Sequence, residues 1–300
     1  MTRLPGCGCP FRPCPNKSLR HNHGAEGTRR ETNGCTLKAR PKWEFQTRGK
    51  EMKSNTDYLG EYWKKGWVVV EGVFKAEEVD RIATLALALA EKERDSAKPG
   101  YNLDFSEDGT QQAPRKIEYP FLKDEACRKF ILDKRLTGIT KLFLGERPLL
   151  FEDQIFMKPP RHGSAKPYHQ DNFYFRCHPD DQVITTWIAL DDVDAANGCL
   201  RYIDGSHLGP ILPHNPIPGE DYNLVPPPEL IDLSKESLAP VRKGGVVFHH
   251  SKTLHTSHRN ESNRWRRGYA AHWVTAKVTS EINTLDNAYF KNNEMAHLFA

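Results

Sequence analysis

The stretch Tyr168-His169-Gln170-Asp171-Asn172-Phe173-Tyr174-Phe175 decides how the chain is read. Its aromatic-rich pattern reads as a β-strand, whose period of two puts His169 and Asp171 on one face, close enough to share an ion, with Gln170 pointing away. The tripeptide His-x-Asp alone proves little in a chain with 13 histidines. His178-Pro179-Asp180 has the same spacing, but its proline removes a ladder donor and, with Asp181 following, makes a turn. That second pair is rejected.

A third metal ligand is expected from Phe248-His249-His250-Ser251-Lys252-Thr253-Leu254-His255-Thr256-Ser257-His258, which offers four imidazoles. Downstream, Arg264-Trp265-Arg266-Arg267-Gly268-Tyr269-Ala270-Ala271-His272-Trp273-Val274 alternates as a strand, and the face of Arg266 carries only Gly268 and Ala270 as near neighbours. A hairpin through Asn260-Glu261-Ser262-Asn263 brings Arg266 alongside His255, while His249 and His250 lie too early for that register. His255 is therefore the choice and His250 the second candidate. Two imidazoles and one carboxylate leave positions of an iron open for ligands and O2, and a buried guanidinium suits a carboxylate that it can bind bidentately. The expectation is an enzyme.

Outward from these motifs, residues after Pro148 form short strands separated by Gly, Pro, Asn and Asp clusters, the pattern of a sandwich or barrel. The element Thr186-Trp187-Ile188-Ala189-Leu190-Asp191-Asp192 begins as a strand and breaks at Asp194-Ala195-Ala196-Asn197-Gly198 ahead of Cys199-Leu200-Arg201-Tyr202, a hairpin. Before Pro148, a short helix is expected near residues 58–65, a strand at Trp67-Val68-Val69-Val70, an amphipathic helix over 76–94, and one helix over 124–144 ending at Gly145. Eight prolines between residues 209 and 240 exclude regular sheet or helix there, and an insertion of that length reads as a substrate lid.

A chain of 300 residues with a net charge of +4 suits one catalytic domain. Residues 1–50 hold eleven Lys/Arg against three acids, so the remainder is acidic, and no basic, aromatic-interleaved stripe supports nucleic-acid binding. Four of the seven cysteines fall in the first forty residues, among prolines and glycines that resist a packed core. Residues 1–55 are thus expected to be a disordered basic segment, with Met52 an alternative start, and residues 56–300 the folded domain. No run of 18 apolar residues marks a membrane span, which suggests a cytoplasmic protein without membrane or nucleic-acid partners. Cys177 and Cys199 read as buried thiols.

Taken together, Lys158-Pro159-Pro160, residues 168–175, residues 187–207 and residues 244–260 resemble the phytanoyl-CoA dioxygenase family of iron(II)- and 2-oxoglutarate-dependent oxygenases, over roughly residues 63–274. The resemblance implies a mostly β fold with flanking helices, a double-stranded β-helix of jelly-roll, cupin-like form. It implies His169, Asp171 and His255 as metal ligands and Arg266 as the clamp for the far carboxylate of 2-oxoglutarate. Trp187, eighteen residues after the first ligand, matches a co-substrate contact, with Ser257 from the Leu-His-x-Ser element and, less securely aligned, Lys116 and Gln154. Tyr174 and Arg201 are candidate substrate contacts, and His207 is structural. Where relatives often carry Gly, this chain has Thr256, and His258 replaces a small residue. Asp171 stands where halogenating relatives lack a carboxylate, so hydroxylation of an aliphatic carbon of a small-molecule or acyl substrate is implied, consuming O2 and releasing succinate and CO2. The competing readings are a jelly-roll metalloenzyme without 2-oxoglutarate, which leaves Arg266 idle, and an inactive binding module, which leaves the ligand set idle.

Overall fold

β-Branched and aromatic residues alternate along six strands that form one antiparallel sheet in the order Trp67–Val70, Val246–His250, Val183–Ala189, Arg266–Val274, Leu149–Lys158 and Lys116–Glu118. A second antiparallel sheet runs Glu236–Ala239, Leu200–Ile203, His255–Ser257, Lys166–His169. The computed structural model describes residues 54–99, 101–105, 110–218 and 220–299, so the expectations placed on the N-terminal segment, its cysteines and Met52 lie outside the described residues. Among the described residues no helix is long and apolar enough to cross a membrane.

The pleat sorts each strand of the large sheet into two faces. Outward-facing Val68, Val70, Ile155, Ile184, Ile188, Phe248, Tyr269 and Trp273 form one core with Val79, Ile82, Leu136, Ile139 and Phe143 of the helices. Inward-facing Trp187, Val247 and Ala270 form another with Leu200 and Tyr202 of the small sheet. The result is a double-stranded β-helix, a jelly roll with helices on one side, as the family resemblance implies.

The helices follow their local signals. Asn55–Lys65 opens on a Ser54 capping box and stops at Gly66, whose φ of +87° favours glycine. Ala76–Lys92 presents Val79, Ile82, Ala86 and Leu89 to the sheet. The single helix expected over 124–144 is instead two, Glu125–Ile131 and Lys134–Leu144. Asp133 breaks it: its carboxylate accepts from the Arg135 amide at 2.8 Å and caps the second helix, a competition for backbone groups that periodicity alone does not reveal.

Three further expectations are corrected. The proline-rich segment does contain strands, since Asn215–Ile217 pairs with Glu220–Val225 and Glu236–Ala239 joins the small sheet. Its prolines sit in turns or on edge pairs, where no ladder donor is lost. The strands of His255 and Arg266 are no hairpin: one pairs within the small sheet and the other within the large one. The same crossing separates Val183–Ala189 from Leu200–Ile203.

Candidate active site

Register on the inner face of the large sheet sets out the site row by row. Glu152 lies opposite His272, His272 opposite Thr185, and Thr185 opposite His249. The next row is Gln154, Ala270, Trp187 and Val247, and beyond it Lys158 faces Arg266. From the small sheet, His169 and His255 are register partners on adjacent strands. A cavity of about 680 Å³ lies between these two sets.

Asp171 does not continue the strand of His169. The strand ends at His169, Gln170 is extended, and Asp171 begins a short helix, Asp171–Phe175. The Asn172 side chain bridges to the Cys177 backbone, which closes this turn and explains why the strand reading fails here. The convergence expected of His169 and Asp171 holds all the same. The ligand atoms of His169, Asp171 and His255 all lie within 4.8 Å of one another, and Nε2 of each histidine is 3.7 Å from Oδ1 of Asp171.

Their hydrogen bonds leave the right atoms free. Nδ1 of His169 donates to the Pro167 carbonyl and Nδ1 of His255 to the Thr253 carbonyl, each at 2.9 Å, so both Nε2 lone pairs face the common point. Burial pushes His255 down to about 4 against the opposing charge of Asp171, and burial followed by His255 and Lys166 pushes His169 well below the ordinary histidine value. Burial alone raises the Asp171 carboxyl, but His255 and then the His249 N–H outweigh it and hold the group well below the usual carboxylate range. Two neutral imidazoles and one carboxylate form a donor set that fits iron(II).

Arg266 is 2% exposed on the same cavity. Its Nε donates to the Gly198 carbonyl at 3.0 Å, its guanidinium lies 4.7 Å from the Trp187 ring, and its buried Nη2 has no partner. Burial pulls its pKa down to about 10, so it stays a cation at neutral pH. A carboxylate ligand fits that orphaned donor. Gly268 makes the approach possible, because a Cβ there would stand 1.8 Å from the Trp187 ring.

Of the other candidates, Trp187, Lys116, Gln154, Ser257 and Tyr174 line the cavity. Lys116 is paired with Glu118 at 3.3 Å and sits over the Tyr101 ring, and Gln154 donates to Glu152 at 2.8 Å. Arg201 is not a cavity residue; it bonds Glu236 at 2.8 Å. His250 packs near Trp63 and His207, away from the cluster, and His207 contacts the Trp63 carbonyl. His178 is half exposed and contacts Glu281, so the rejected pair stays outside the site. Sequence reasoning missed His249, Thr185 and His272, which surround the second oxygen of Asp171. Strand alternation held the clue, for Thr185 stands two residues from Trp187 on the same inward face.

The sequence profile described as phytanoyl-CoA dioxygenase (PhyH) matches residues 62–268. The chain is 31% identical over 221 residues to a probable alpha-ketoglutarate-dependent hypophosphite dioxygenase of Stutzerimonas stutzeri, covering 70% of this chain and 77% of that protein. It is 27% identical over 267 residues to a phytanoyl-CoA dioxygenase domain-containing protein 1 homolog of Caenorhabditis briggsae, covering 75% and 92%. A similar fold, with a TM-score of 0.60 and 22% identity over 80% of this chain and 92% of the other, is that of the epimerase SnoN in complex with Fe3+, alpha ketoglutarate and nogalamycin RO. Since the matched profile spans more than half of its length, the chain belongs to the phytanoyl-CoA dioxygenase family of iron(II)- and 2-oxoglutarate-dependent oxygenases.

Proposed function

We propose that His169, Asp171 and His255 hold the iron(II), that Arg266 takes the far carboxylate of 2-oxoglutarate, and that the enzyme hydroxylates an aliphatic carbon of a small-molecule or acyl substrate. The observation that carries this reading is the orphaned Nη2 of Arg266 on the same cavity as three convergent ligand atoms. Iron(II) held there supplies O2 activation coupled to conversion of 2-oxoglutarate to succinate and CO2. The protein's part is binding and exclusion. The Gly198 carbonyl and the Trp187 ring fix the guanidinium, so little rearrangement accompanies co-substrate binding. Trp187, Ser257, Lys116 and Gln154 are assigned to the co-substrate, and Tyr174 to the substrate side.

The insertion over residues 209–240 acts as the lid in this reading. Asn223 lines the cavity and accepts from Lys166 at 2.8 Å, and the Leu224 carbonyl accepts from the Tyr174 hydroxyl. Buried free Cys127, Cys177 and Cys199 suit a reducing compartment, in keeping with a cytoplasmic enzyme.

Anaerobic addition of iron(II) and 2-oxoglutarate to the purified protein tests the proposal. The expected result is a weak visible charge-transfer band, then slow succinate release once O2 is admitted. Metal binding without the band or succinate would overturn the 2-oxoglutarate assignment.

A further inference from the structure

We infer that the primary substrate is a small polar molecule carrying a cationic nitrogen, and that Glu152 reads that charge. This rests on the assignment of Arg266 and the metal cluster made above. The argument comes from which polar groups on the cavity wall are already engaged. Its cations are committed: Lys116 to Glu118 and, by the assignment above, to the co-substrate, Lys158 to the Ser257 and His258 carbonyls, Lys166 to Asn223, and Arg115 to Asp104 at 3.6 Å. Arg266 is reserved for the co-substrate.

The acid is not committed in the same way. Glu152 accepts from the Gln154 amide at 2.8 Å and has no cation within ion-pair distance among the described residues; Lys116 acts on it only from farther off while holding Glu118. Asn283, Thr284 and Asn287 also line the cavity and make no side-chain hydrogen bond among the described residues. Phe151 and Phe175 pack edge to face at 5.0 Å and also line the cavity. The open valence of the cavity wall is therefore one carboxylate and neutral polar groups beside aromatic side chains. That set favours an ammonium and disfavours a phosphate-rich thioester.

Position supports the same role. Glu152 faces His272, which faces the Thr185 that bonds Asp171, so Glu152 stands two strand spacings, roughly 10 Å, from Thr185. A nitrogen anchored at Glu152 leaves a carbon a few bonds away beside the metal ligands.

The test uses the full chain loaded anaerobically with iron(II) and 2-oxoglutarate and three probes of matched size: cyclohexylamine, cyclohexanol and cyclohexanecarboxylate. Ligand-observed NMR and calorimetry should rank the amine first, and Glu152→Gln should weaken its binding roughly tenfold while leaving the alcohol unchanged. In parallel, succinate release should be stimulated by compounds drawn from an amine panel and not by acyl-CoA thioesters. Preference for the carboxylate, absence of amine binding, an unchanged Glu152→Gln variant, or stimulation confined to acyl-CoA would each overturn the inference. Succinate release without any probe reports the underlying 2-oxoglutarate assignment separately, so the two failures are distinguishable.

Discussion

The Thr185 hydroxyl donates to Oδ2 of Asp171 at 2.7 Å, and that oxygen is the one turned away from the His169 and His255 ring nitrogens. The His249 Nε2–H donates to the same oxygen at 3.0 Å, and a carboxylate only accepts, so the polarity of the whole chain follows. Tyr202 donates to Nδ1 of His249, and His272 donates from Nδ1 to Thr185, both at 2.9 Å. Oδ2 is thereby occupied by protein donors, and Oδ1 alone is left for the metal.

Thr185→Val should loosen this arrangement without emptying volume from the core. Iron(II) affinity is expected to fall about tenfold, the range found when partners of metal ligands are removed. A metal titration with an unchanged dissociation constant would show that the hydroxyl does not orient the carboxylate.

Arg266→Ala should leave iron(II) binding intact and raise the 2-oxoglutarate concentration needed for half-maximal succinate release by on the order of a hundredfold, because a charge-assisted bidentate contact is lost. Gly268→Ala should move in the same direction by displacing the Trp187 ring on which the guanidinium rests. An unchanged requirement in Arg266→Ala would reassign the cavity's orphan donor.

His169→Ala should abolish metal retention while His178→Ala leaves it intact. Equilibrium dialysis against iron(II) decides this, and equal loss from both variants would mean the wrong His-x-Asp pair had been chosen. The two pairs also mark how far sequence reading reaches. The proline in His178-Pro179-Asp180 marked a turn, and the helix periodicity and the β texture after Pro148 were legible because each is a repeating or compositional pattern, whereas His169, Asp171, His255 and Arg266 were picked out together by the family resemblance, the strand and hairpin readings that first joined them having failed. What was not legible was local competition. Asp133 and Asn172 redirect the backbone through side-chain hydrogen bonds that periodicity does not register. The link between His255 and Arg266 resembles a hairpin turn, yet the Asn260 amide bonds the Lys158, Pro159 and Arg264 carbonyls and leads the chain from one sheet to the other. Turn residues announce a change of direction and not which sheet receives the next strand.

Asp153 provides a prediction on stability rather than chemistry. Fully buried behind the site, it accepts from the Tyr269 and Tyr289 hydroxyls and the Phe121 amide, tying two strands to the C-terminal segment. Burial outweighs these bonds and raises its pKa to about 7 from the ordinary value of 3.8. A group raised in the folded state binds its proton more tightly there than when unfolded, so its contribution to stability is full below 3.8 and is lost as pH rises through about 7. Asparagine cannot titrate. Between pH 8 and pH 5.5, the wild type should therefore gain about 2 kcal/mol relative to Asp153→Asn, at roughly 1.4 kcal/mol per pH unit below the folded pKa. Paired denaturation curves of the two proteins across that interval measure the difference directly. A gap that stays constant, or widens toward alkaline pH, would mean that the tyrosine hydroxyls keep this carboxylate ionised inside the core.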